Sequence, residues 1–286
     1  MKTCAALLLL ALSCTAFAAD PTAPYVVERL ELPGPVAGVV VKVDLRDPRV
    51  QVSVALADNR DPDGPGPAVG LLDTTSGVAR RRDFDITLNA SFFNAQDARE
   101  VLGKRIRYFV GNGAYPVGWH FSDGKLVTAP QKPNQFRQAL VVHRGGAISI
   151  DTALEALPAD TAFAVSGNAM LVTDGQATTS VNEAREPRSA VGLSADGKTL
   201  ILLAIDGRQQ GYSRGVSMKE LAQIFLDLGA RNALNLDGGG STSLVLKDPG
   251  SGGYAIANKP SDLSPMGMHL QVERPVVDVI GVRLLP

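Results

Sequence analysis

The sequence predicts an α+β protein with mixed, mostly antiparallel sheets and few helices. Val-rich runs typical of strands recur along the chain, beginning with residues 36–45 and 50–57. Asp-Gly pairs, which favour tight hairpin turns, separate later apolar runs. One strongly amphipathic helix lies between two such runs, which indicates a βαβ unit around residues 199–237. Hydrophobic residues make up 45% of the chain, enough to bury a sizeable core.

The first 18 residues have the features of an export leader. Lys2 gives a positively charged start, residues 5–12 are apolar, and Ala16-Phe17-Ala18 matches the small-x-small pattern of a signal-peptidase site. The apolar run is shorter than the ~20 residues that a membrane-spanning helix needs. We therefore expect a mature domain of residues 19–286 that is periplasmic or secreted and has no membrane span.

The two cysteines bear on redox chemistry and on anchoring. Cys4 and Cys14 both lie in the predicted leader, so the mature chain is expected to contain no disulfide, thiol nucleophile or cysteine-ligated zinc. Cys14 also raises the alternative of a lipoprotein. Ala11, however, stands where a Leu usually precedes a lipidated cysteine, so we favour export without lipidation.

Strand and turn signals dominate the chain before the helix. The runs at residues 36–45 and 50–57 flank a turn-like break and predict a hairpin. Residues 71–82 predict a short helix, and residues 86–93 predict a further strand. Because tight primed turns need positive φ, hairpins are expected at the three Asp-Gly pairs, Asp123-Gly124, Asp174-Gly175 and Asp196-Gly197.

One helix is specified by its two ends and by its apolar face. Ser217 and Glu220 form a capping-box pattern, and Gly229 stands where a C-terminal cap is expected. The apolar face between them follows the spacing i, i+3, i+4 and i+7, with Leu221, Ile224, Phe225 and Leu228.

The remaining signals complete a single domain. Strands are expected at residues 232–236, 243–246 and 275–285. No repeat or long linker divides the chain. Residues 19–286 are therefore expected to form one domain, with two lobes that divide near residues 132–134.

Two carboxylates follow the two strands of the predicted βαβ unit. Asp206 follows the strand at residues 199–205, and Asp237 follows the strand at residues 232–236. Parallel strands of one sheet end at the same edge, where open α/β sheets place ligands, so the carboxylates are expected to converge. Arg188 begins the strand that forms a hairpin with the Asp206 strand, and it therefore reaches the same edge.

The residues around these carboxylates predict binding of a phosphate group. Arginines and the N–H groups of a glycine-rich turn bind phosphate oxygens, and paired carboxylates cleave at anomeric carbons. Asp237 precedes three glycines that add no packing, so we interpret it as the principal catalytic carboxylate. Asp206, which a turn alone could explain, is its expected partner. The expected binding groups are Arg188, Arg208, Gly238, Gly239, Gly240, Ser241 and Thr242.

Composition and spacing argue against several other functions. The formal net charge of −1 and the aromatic content of 5% argue against nucleic-acid binding. A P-loop-like pattern from Gly192 to Thr199 continues into an apolar strand rather than a helix, so a hairpin is the better interpretation.

The sequence predicts no cofactor. His120, His143 and His269 show no metal-ligand spacing and are expected to be structural. One alternative stays open, since Asp206 and Asp237, together with Asn235, could hold a hard divalent cation beside the phosphate.

Several stretches resemble the phosphodiester glycosidase family over roughly residues 36–282. They are Asn89-Ala90-Ser91-Phe92-Phe93-Asn94, Pro187-Arg188-Ser189-Ala190-Val191-Gly192, Ala204-Ile205-Asp206-Gly207-Arg208, Gly229-Ala230-Arg231-Asn232-Ala233-Leu234-Asn235-Leu236-Asp237-Gly238-Gly239-Gly240-Ser241-Thr242, Asn258-Lys259-Pro260-Ser261-Asp262 and Glu273-Arg274-Pro275. The family tends to have Asn-Gly-Gly-Phe-Phe where this chain has Asn89-Ala90-Ser91-Phe92-Phe93. The resemblance implies hydrolysis of a sugar-1-phosphodiester and adds Asn89 to the expected substrate- or phosphate-binding residues.

The leading hypothesis is therefore an exported hydrolase whose partner is a phosphorylated sugar or glycan. Two alternatives remain: a non-catalytic module that binds phosphorylated envelope glycans, and a metal-dependent phosphodiesterase that cuts the P–O bond. N-acetylglucosamine is the sugar that the resemblance suggests, but no residue fixes the sugar or the oligomeric state.

Overall fold

The fold is that of a computed structural model. It describes residues 13–16, 22–60, 68–132, 136–178, 183–263 and 271–286. Within the predicted leader, Ser13–Ala16 is a strand, and the rest of residues 1–18 lies outside the described residues. Residues 133 and 134 of the predicted lobe boundary, and His269, also lie outside them. The cleaved leader and the lobe division therefore stay predictions.

Strands make up most of the regular structure. In chain order they are β1 (Ser13–Ala16), β2 (Tyr25–Leu32), β3 (Val36–Asp44), β4 (Val50–Leu56), β5 (Gly70–Leu71), β6 (Ile86–Asn89), β7 (Phe93–Ala95), β8 (Arg99–Val101), β9 (Lys104–Ile106), β10 (Gly113–Pro116), β11 (His120–Ser122), β12 (Lys125–Thr128), β13 (Ala139–His143), β14 (Ile148–Asp151), β15 (Thr161–Ser166), β16 (Ala169–Thr173), β17 (Gln176–Ala177), β18 (Arg188–Ser194), β19 (Thr199–Ile205), β20 (Ala230–Asn235), β21 (Leu244–Lys247), β22 (Tyr254–Ile256), β23 (Asp262–Leu263), β24 (Gln271–Val272) and β25 (Asp278–Leu284).

The described helices are α1 (Thr75–Arg82), α2 (Met218–Asp227) and a 3₁₀ helix at Gly239–Ser241. The predicted capping box of α2 is confirmed, because Ser217 and Glu220 each accept a hydrogen bond from the backbone N–H of the other. The helix predicted at residues 71–82 begins only at Thr75, since β5 occupies residues 70 and 71. Within the described ranges, no helix combines the length and apolar character needed to cross a membrane.

The described strands form two large layers and smaller sheets. An eight-stranded sheet has the order β1-β2-β3-β19-β18-β20-β16-β17. Two five-stranded sheets have the orders β22-β21-β6-β25-β4 and β12-β11-β15-β13-β14, and the smaller sheets are β5-β10-β7, β8-β9 and β23-β24. Neighbouring strands pair antiparallel, as in β3 with β19 and in β25 with β4. The predicted α+β class is confirmed.

The central strands of the eight-stranded sheet are buried on both faces. One face, which includes Val41 and Leu202, packs against the two five-stranded sheets, which contribute Leu88 and Leu140. The opposite face packs against α2, where Phe225 is fully buried. A strand buried on both faces contributes a continuous apolar run, which is why β19 has the sequence TLILLAI. This central sheet carries the strand ends on which the candidate site is built.

All three Asp-Gly pairs lie in hairpins, as predicted. They join β11 to β12, β16 to β17, and β18 to β19. Asp123 and Gly124 both have positive φ, at 49° and 78°, which is typical of a primed turn. The third hairpin has a longer turn, in which Gly197 alone has positive φ. The P-loop-like pattern is therefore part of a hairpin.

The hairpin predicted from residues 36–45 and 50–57 is wrong, although both strands exist. β3 pairs with β2 and β19 in the eight-stranded sheet, whereas β4 pairs with β25 in a five-stranded sheet. Val41 and Val54 belong to one core cluster, so the two strands pack face to face across the core. Local turn signals do not distinguish this arrangement from edge-to-edge pairing.

The βαβ unit predicted around residues 199–237 is present with one strand inserted. β19 and β20 both pair antiparallel with β18, so they run parallel to each other on its two sides. Helix α2 connects them along the chain and covers one face of the sheet. The C-terminal ends of β19 and β20 therefore meet beside the start of β18.

Candidate active site

The register of β18 brings the predicted site residues to one edge of the eight-stranded sheet. Arg188 begins β18 and pairs with the last residue of β19, which Asp206 follows. On the other side of β18, the N–H of Leu236 donates to the carbonyl of Ser189 over 2.9 Å, and Asp237 follows. Asp206 and Asp237 thus lie on the two sides of Arg188.

Asp206 is enclosed by hydrogen-bond donors. It is 1% exposed, and its Oδ1 accepts from Asn258 Nδ2 at 3.0 Å and from the Lys259 N–H at 2.8 Å. Its Oδ2 accepts from the Tyr212 hydroxyl at 2.8 Å. Burial raises the pKa of the Asp206 carboxyl, and these hydrogen bonds oppose the rise. The carboxylate thereby ties two loops to the end of β19.

The carboxylate of Asp237 is in a different environment. The backbone of Asp237 is fixed, because its N–H donates to the carbonyl of Ala90 at 2.9 Å and its carbonyl accepts from Asn89 Nδ2 at 2.7 Å. The residue is half-buried. No described residue forms a hydrogen bond of ordinary length and angle with its carboxylate. A rigid backbone thus presents a carboxylate that has few partners.

Burial has the largest effect on the pKa of the Asp237 carboxyl. It raises the pKa of the Asp237 carboxyl to about 7, and the carboxylate of Asp278 adds to the rise. The Ser241 hydroxyl, the Arg274 guanidinium and the Gly238 N–H act in the opposite direction. A carboxyl with a pKa near neutral can exchange its proton under physiological conditions, which suits acid–base or nucleophilic work.

The glycine-rich turn after Asp237 lies against two guanidinium groups. Gly239 has a φ of +61°, and a Cβ on it would lie 3.3 Å from Nη1 and Nη2 of Arg208. A Cβ on Gly240 would collide with the guanidinium of Arg274. Glycine therefore allows both cations to approach the backbone of the turn. Two guanidiniums close to one turn are suited to an anion.

Both cations also have carboxylate partners. Arg208 pairs with Glu186 at 2.5 Å, and its side chain is 50% exposed. Arg274 pairs with Asp262 at 2.9 Å. These pairs fix the directions of the guanidiniums and leave further N–H donors for a ligand.

Two hydroxyl groups at the end of the turn are buried and have no hydrogen-bond partner among the described residues. Ser241 Oγ and Thr242 Oγ1 form no hydrogen bond of ordinary length and angle with a described residue. The Ser241 hydroxyl is nevertheless close enough to lower the pKa of Asp237. An unsatisfied buried polar group costs roughly 1–3 kcal/mol. A ligand seated on the turn could provide the missing partners.

Arg188 is a buried cation at the expected edge. It is 9% exposed, and its Nε and Nη2 donate to the carbonyls of Val216 and Ala184 at 3.2 and 3.0 Å. It forms no ion pair within the described residues, and burial lowers its pKa. These contacts direct its guanidinium towards the start of α2, so phosphate binding by Arg188 stays a prediction.

Asn89 holds the two ends of the glycine-rich turn through hydrogen bonds of its side chain. It is fully buried, and its Oδ1 accepts from Ser189 Oγ at 2.6 Å and from the Ser243 N–H at 3.1 Å. With its bond to the carbonyl of Asp237, the Asn89 amide joins β6, β18 and both ends of the turn. The structure thus gives Asn89 a bracing role, and direct contact with a substrate stays a prediction.

The segment after Asn89 accounts for the departure from the family pattern. Ser91 donates to both carboxylate oxygens of Asp278 at 2.7 Å, through its N–H and its hydroxyl. The same carboxylate lies 2.7 Å from Nδ1 of His120, whose Nε2 lies 2.9 Å from Ser122 Oγ. All of these groups are buried, which agrees with the expected structural role of His120. Ser91 supplies a hydroxyl that a glycine would lack.

Three residues of the site were not assigned from the sequence: Arg274, Asn258 and Asp278. Arg274 and Asn258 occur in the stretches that match the family, and this was the one signal available for them. Asp278 begins the last strand, far along the chain from Asp237. Each reaches the site by long-range packing, which leaves no local pattern.

The cation alternative finds no supporting cluster. The described residues contain no group of three or more His, Cys, Asp or Glu side chains arranged for a metal ion. Asp206 is occupied by protein donors, and the amide nitrogen of Asn235 donates to Asn168 Oδ1 at 2.7 Å. Asn235 Oδ1 is buried without a partner.

The fold and the carboxylate–arginine site define an α+β protein suited to a phosphorylated ligand. The family model of the phosphodiester glycosidases matches residues 83–283, and the chain belongs to this family. The predicted family is thereby confirmed.

Curated relatives match over shorter stretches. The bovine N-acetylglucosamine-1-phosphodiester alpha-N-acetylglucosaminidase is 40% identical over 75 residues, which is 26% of this chain and 12% of that protein. The human protein of the same name is 37% identical over 75 residues, which is 26% of this chain and 13% of its own length. An uncharacterised SPbeta prophage-derived protein of Bacillus subtilis is 35% identical over 98 residues, or 34% of this chain and 13% of that protein. The matched region is thus a small part of each relative.

Solved structures support the fold. The zebrafish N-acetylglucosamine-1-phosphodiester alpha-N-acetylglucosaminidase catalytic domain, auto-inhibited by its pro-peptide, has a TM-score of 0.63 at 21% identity. The comparison covers 96% of this chain and 82% of that one. A protein from Burkholderia pseudomallei has a TM-score of 0.54 at 18% identity, over 89% of this chain and 75% of its own.

Proposed function

We propose that this protein hydrolyses a sugar-1-phosphodiester, with Asp237 acting at the anomeric carbon. The observation that carries the proposal is the position of Asp237: a partly buried carboxylate, its pKa raised to about 7, next to a glycine-rich turn and two guanidiniums. The family and the names of its animal members agree with this reaction. N-acetylglucosamine is the first sugar to test.

The reaction breaks the bond between C1 of the sugar and the bridging phosphate oxygen. Ionised Asp237 either attacks C1 or removes a proton from the water that attacks it, and the bond electrons leave with the phosphate. Where Asp237 attacks C1, water displaces it in a second step, and the bond between Asp237 and C1 breaks. In either route one proton of the water stays on the new C1 hydroxyl, and the other is released to solvent or taken up by the phosphate monoester. Both routes give a free sugar and a phosphate monoester.

The turn and its arginines assist the leaving group. A phosphate monoester is already a good leaving group, so it needs little help from a general acid. Its charge grows as the C1–O bond breaks, and the guanidiniums of Arg208 and Arg274 are suited to stabilise that charge. Ser241 and Thr242, whose buried hydroxyls lack partners, are the proposed further contacts.

Hydrolysis in ¹⁸O-labelled water tests the reaction directly. We expect label on the C1 hydroxyl of N-acetylglucosamine released from its methyl phosphodiester, and none in the phosphate. Label in the phosphate would mean P–O cleavage, as in the phosphodiesterase alternative. Tight binding without turnover across a panel of sugar-1-phosphodiesters would support the binding-module alternative. Asp237→Asn serves as the control for contaminating activity.

We also propose that the protein is exported, on the strength of the leader-like first 18 residues. Expression of the full chain with mass determination of the mature N-terminus tests this. We expect a chain that begins at Ala19, and an intact Met1 in the mature protein would overturn export through this leader.

A further inference from the structure

A basic cavity lies beside the candidate site. Its volume is about 710 Å³, within the range of sites for small ligands. Its walls include four exposed cations on or next to the β8–β9 hairpin, namely Arg99, Lys104, Arg105 and Arg107. Arg274 lines the same cavity.

Among the described residues of the cavity wall, cations outnumber acids by five to two, so the wall carries a net positive charge. None of the four hairpin cations forms an ion pair within the described part of the chain, and Glu100, which faces Arg105 in the strand register, forms none either. The two acids in the wall are already engaged. Asp262 pairs with Arg274, and Glu273 accepts from a serine hydroxyl and a backbone N–H.

Aromatic rings hold two of the guanidiniums in place. The guanidinium carbon of Arg99 lies 3.4 Å from the centre of the Phe109 ring, and that of Arg274 lies 4.3 Å from the centre of the Tyr108 ring. Stacking orders a guanidinium while its N–H groups stay free to bind an anion at the edge.

Arg274 connects the cavity to the glycine-rich turn. Its guanidinium lies against Gly240 and also forms part of the cavity wall. A phosphate seated on the turn would therefore lie at the mouth of the cavity. Of the two groups attached to that phosphate, the sugar must meet Asp237, so the other group extends towards the hairpin cations.

We propose that this cavity is a subsite for a second negatively charged group, carried by the part of the substrate beyond the cleaved phosphate. The placement rests on the proposed function, whereas the affinity of the cavity for an anion does not. The substrate class is then a sugar-1-phosphodiester whose non-sugar side is itself anionic, such as a phosphorylated glycan or a chain of phosphodiesters.

A binding experiment with inorganic tripolyphosphate tests the subsite without any turnover. The variant is Lys104→Ala/Arg105→Ala/Arg107→Ala. The matched control is Arg46→Ala/Lys198→Ala/Arg231→Ala, which removes the same charge at the opposite end of the eight-stranded sheet. We expect calorimetry to give a Kd at least about fivefold weaker for the variant and within about twofold for the control. Equal Kd values for the two triple variants, or no binding by the unmodified protein, would overturn the proposal.

A kinetic comparison tests the position of the subsite. Two N-acetylglucosamine-1-phosphodiesters are compared, one with a methyl group and one with a 2-phosphoethyl group beyond the phosphate. We expect the ratio of kcat/KM for the charged over the methyl substrate to fall about fivefold or more in the hairpin variant. An unchanged ratio would overturn the placement. If neither substrate is cleaved, the proposed function fails, and the tripolyphosphate experiment still decides the anion subsite.

Discussion

Asp206 and Asp237 occupy equivalent positions in the topology and have opposite surroundings. Each follows a strand that flanks β18. Asp206 is fully buried, and its carboxylate accepts three hydrogen bonds. The carboxylate of Asp237 accepts no hydrogen bond of ordinary length and angle from a described residue. The comparison shows that topology places both aspartates at one sheet edge, but the following loop decides what each can do.

The difference originates in the residues after each aspartate. After Asp206 the chain continues through a loop that returns Tyr212 to the carboxylate, and Asn258 arrives from another loop. After Asp237 the chain forms a glycine turn, at the end of which Ser241 brings a hydroxyl close to the carboxylate. The carboxylate of Asp237 therefore remains available to a ligand. Few hydrogen bonds within the protein offset the free-energy cost of burying it.

Replacing Asp237, whose carboxylate has fewer hydrogen-bond partners than that of Asp206, should have the largest effect on turnover. We expect Asp237→Asn to lower kcat/KM for the methyl phosphodiester of N-acetylglucosamine by about 10²- to 10⁴-fold, the range typical of a positioned acid, base or nucleophile. Its affinity for the product monoester should be largely kept. Steady-state kinetics and calorimetry on the same preparation provide the measurement.

An Asp237→Asn variant that retains turnover within threefold of the unmodified protein would contradict the role of Asp237. Thermal unfolding provides the control, since a shared melting temperature excludes misfolding as the cause of lost activity.

The raised pKa of Asp237 should make the free energy of unfolding depend on pH. The folded-state pKa of about 7 lies above the ordinary value of 3.8, so between these values the native state holds more protons than the unfolded state. Stability contributed by the protonated carboxyl is therefore lost as pH rises through this window. The total loss is on the order of a few kcal/mol.

Urea unfolding at pH 4 to 8 checks this effect. We expect the free energy of unfolding of the Asp237→Asn variant to gain on that of the unmodified protein as pH rises from 4 to 7. The difference removes the contribution of all other carboxylates, including Asp206, because both proteins share them. A difference that does not change with pH would mean that Asp237 has an ordinary pKa.

The contact between Arg274 and the glycine turn can be broken by one methyl group. Gly240→Ala places a Cβ where the guanidinium of Arg274 lies, so this side chain must move. We expect a loss of roughly 10- to 150-fold in kcat/KM, as for a hydrogen bond to a charged group. Because Arg274 lowers the pKa of Asp237, the ascending limb of the pH–rate profile should also move to higher pH.

Gly145→Ala is the matched control, since a Cβ there meets no atom within 4 Å. The role of Arg274 would be refuted by a Gly240→Ala variant with the kinetics and pH profile of the Gly145→Ala protein.

The features that the sequence predicted correctly depend on neighbouring residues. Ser217 and Glu220 specify the capping box within one helical turn, and the Asp-Gly pairs specify their hairpins. The placement of Asp206 and Asp237 at one sheet edge followed from chain direction alone, because parallel strands share an edge. These are consequences of local geometry and topology.

The features that the sequence could not provide depend on distant packing. The partner of β3 is β19, more than 150 positions away, and no turn signal reports it. Arg274 approaches Gly240 only after the last strands have assembled, and the direction of the Arg188 side chain is set by carbonyls near α2. Hydrogen-bond satisfaction, which separates Asp206 from Asp237, becomes visible only in the folded chain.

The smallest effect on turnover is expected from the satisfied carboxylate. In Asp206→Asn, the remaining carbonyl oxygen can still accept from Asn258 and from the Lys259 N–H, while the bond with Tyr212 is lost or reversed. We expect a loss of about 1–3 kcal/mol in the free energy of unfolding and less than a tenfold change in kcat/KM. Tyr212→Phe removes one of the three bonds and should cost less stability, about 1 kcal/mol. Denaturant unfolding and steady-state kinetics of both variants check this. If Asp206→Asn instead keeps its stability and loses as much turnover as Asp237→Asn, then the two carboxylates act as a catalytic pair, and the asymmetry between their environments is not functional.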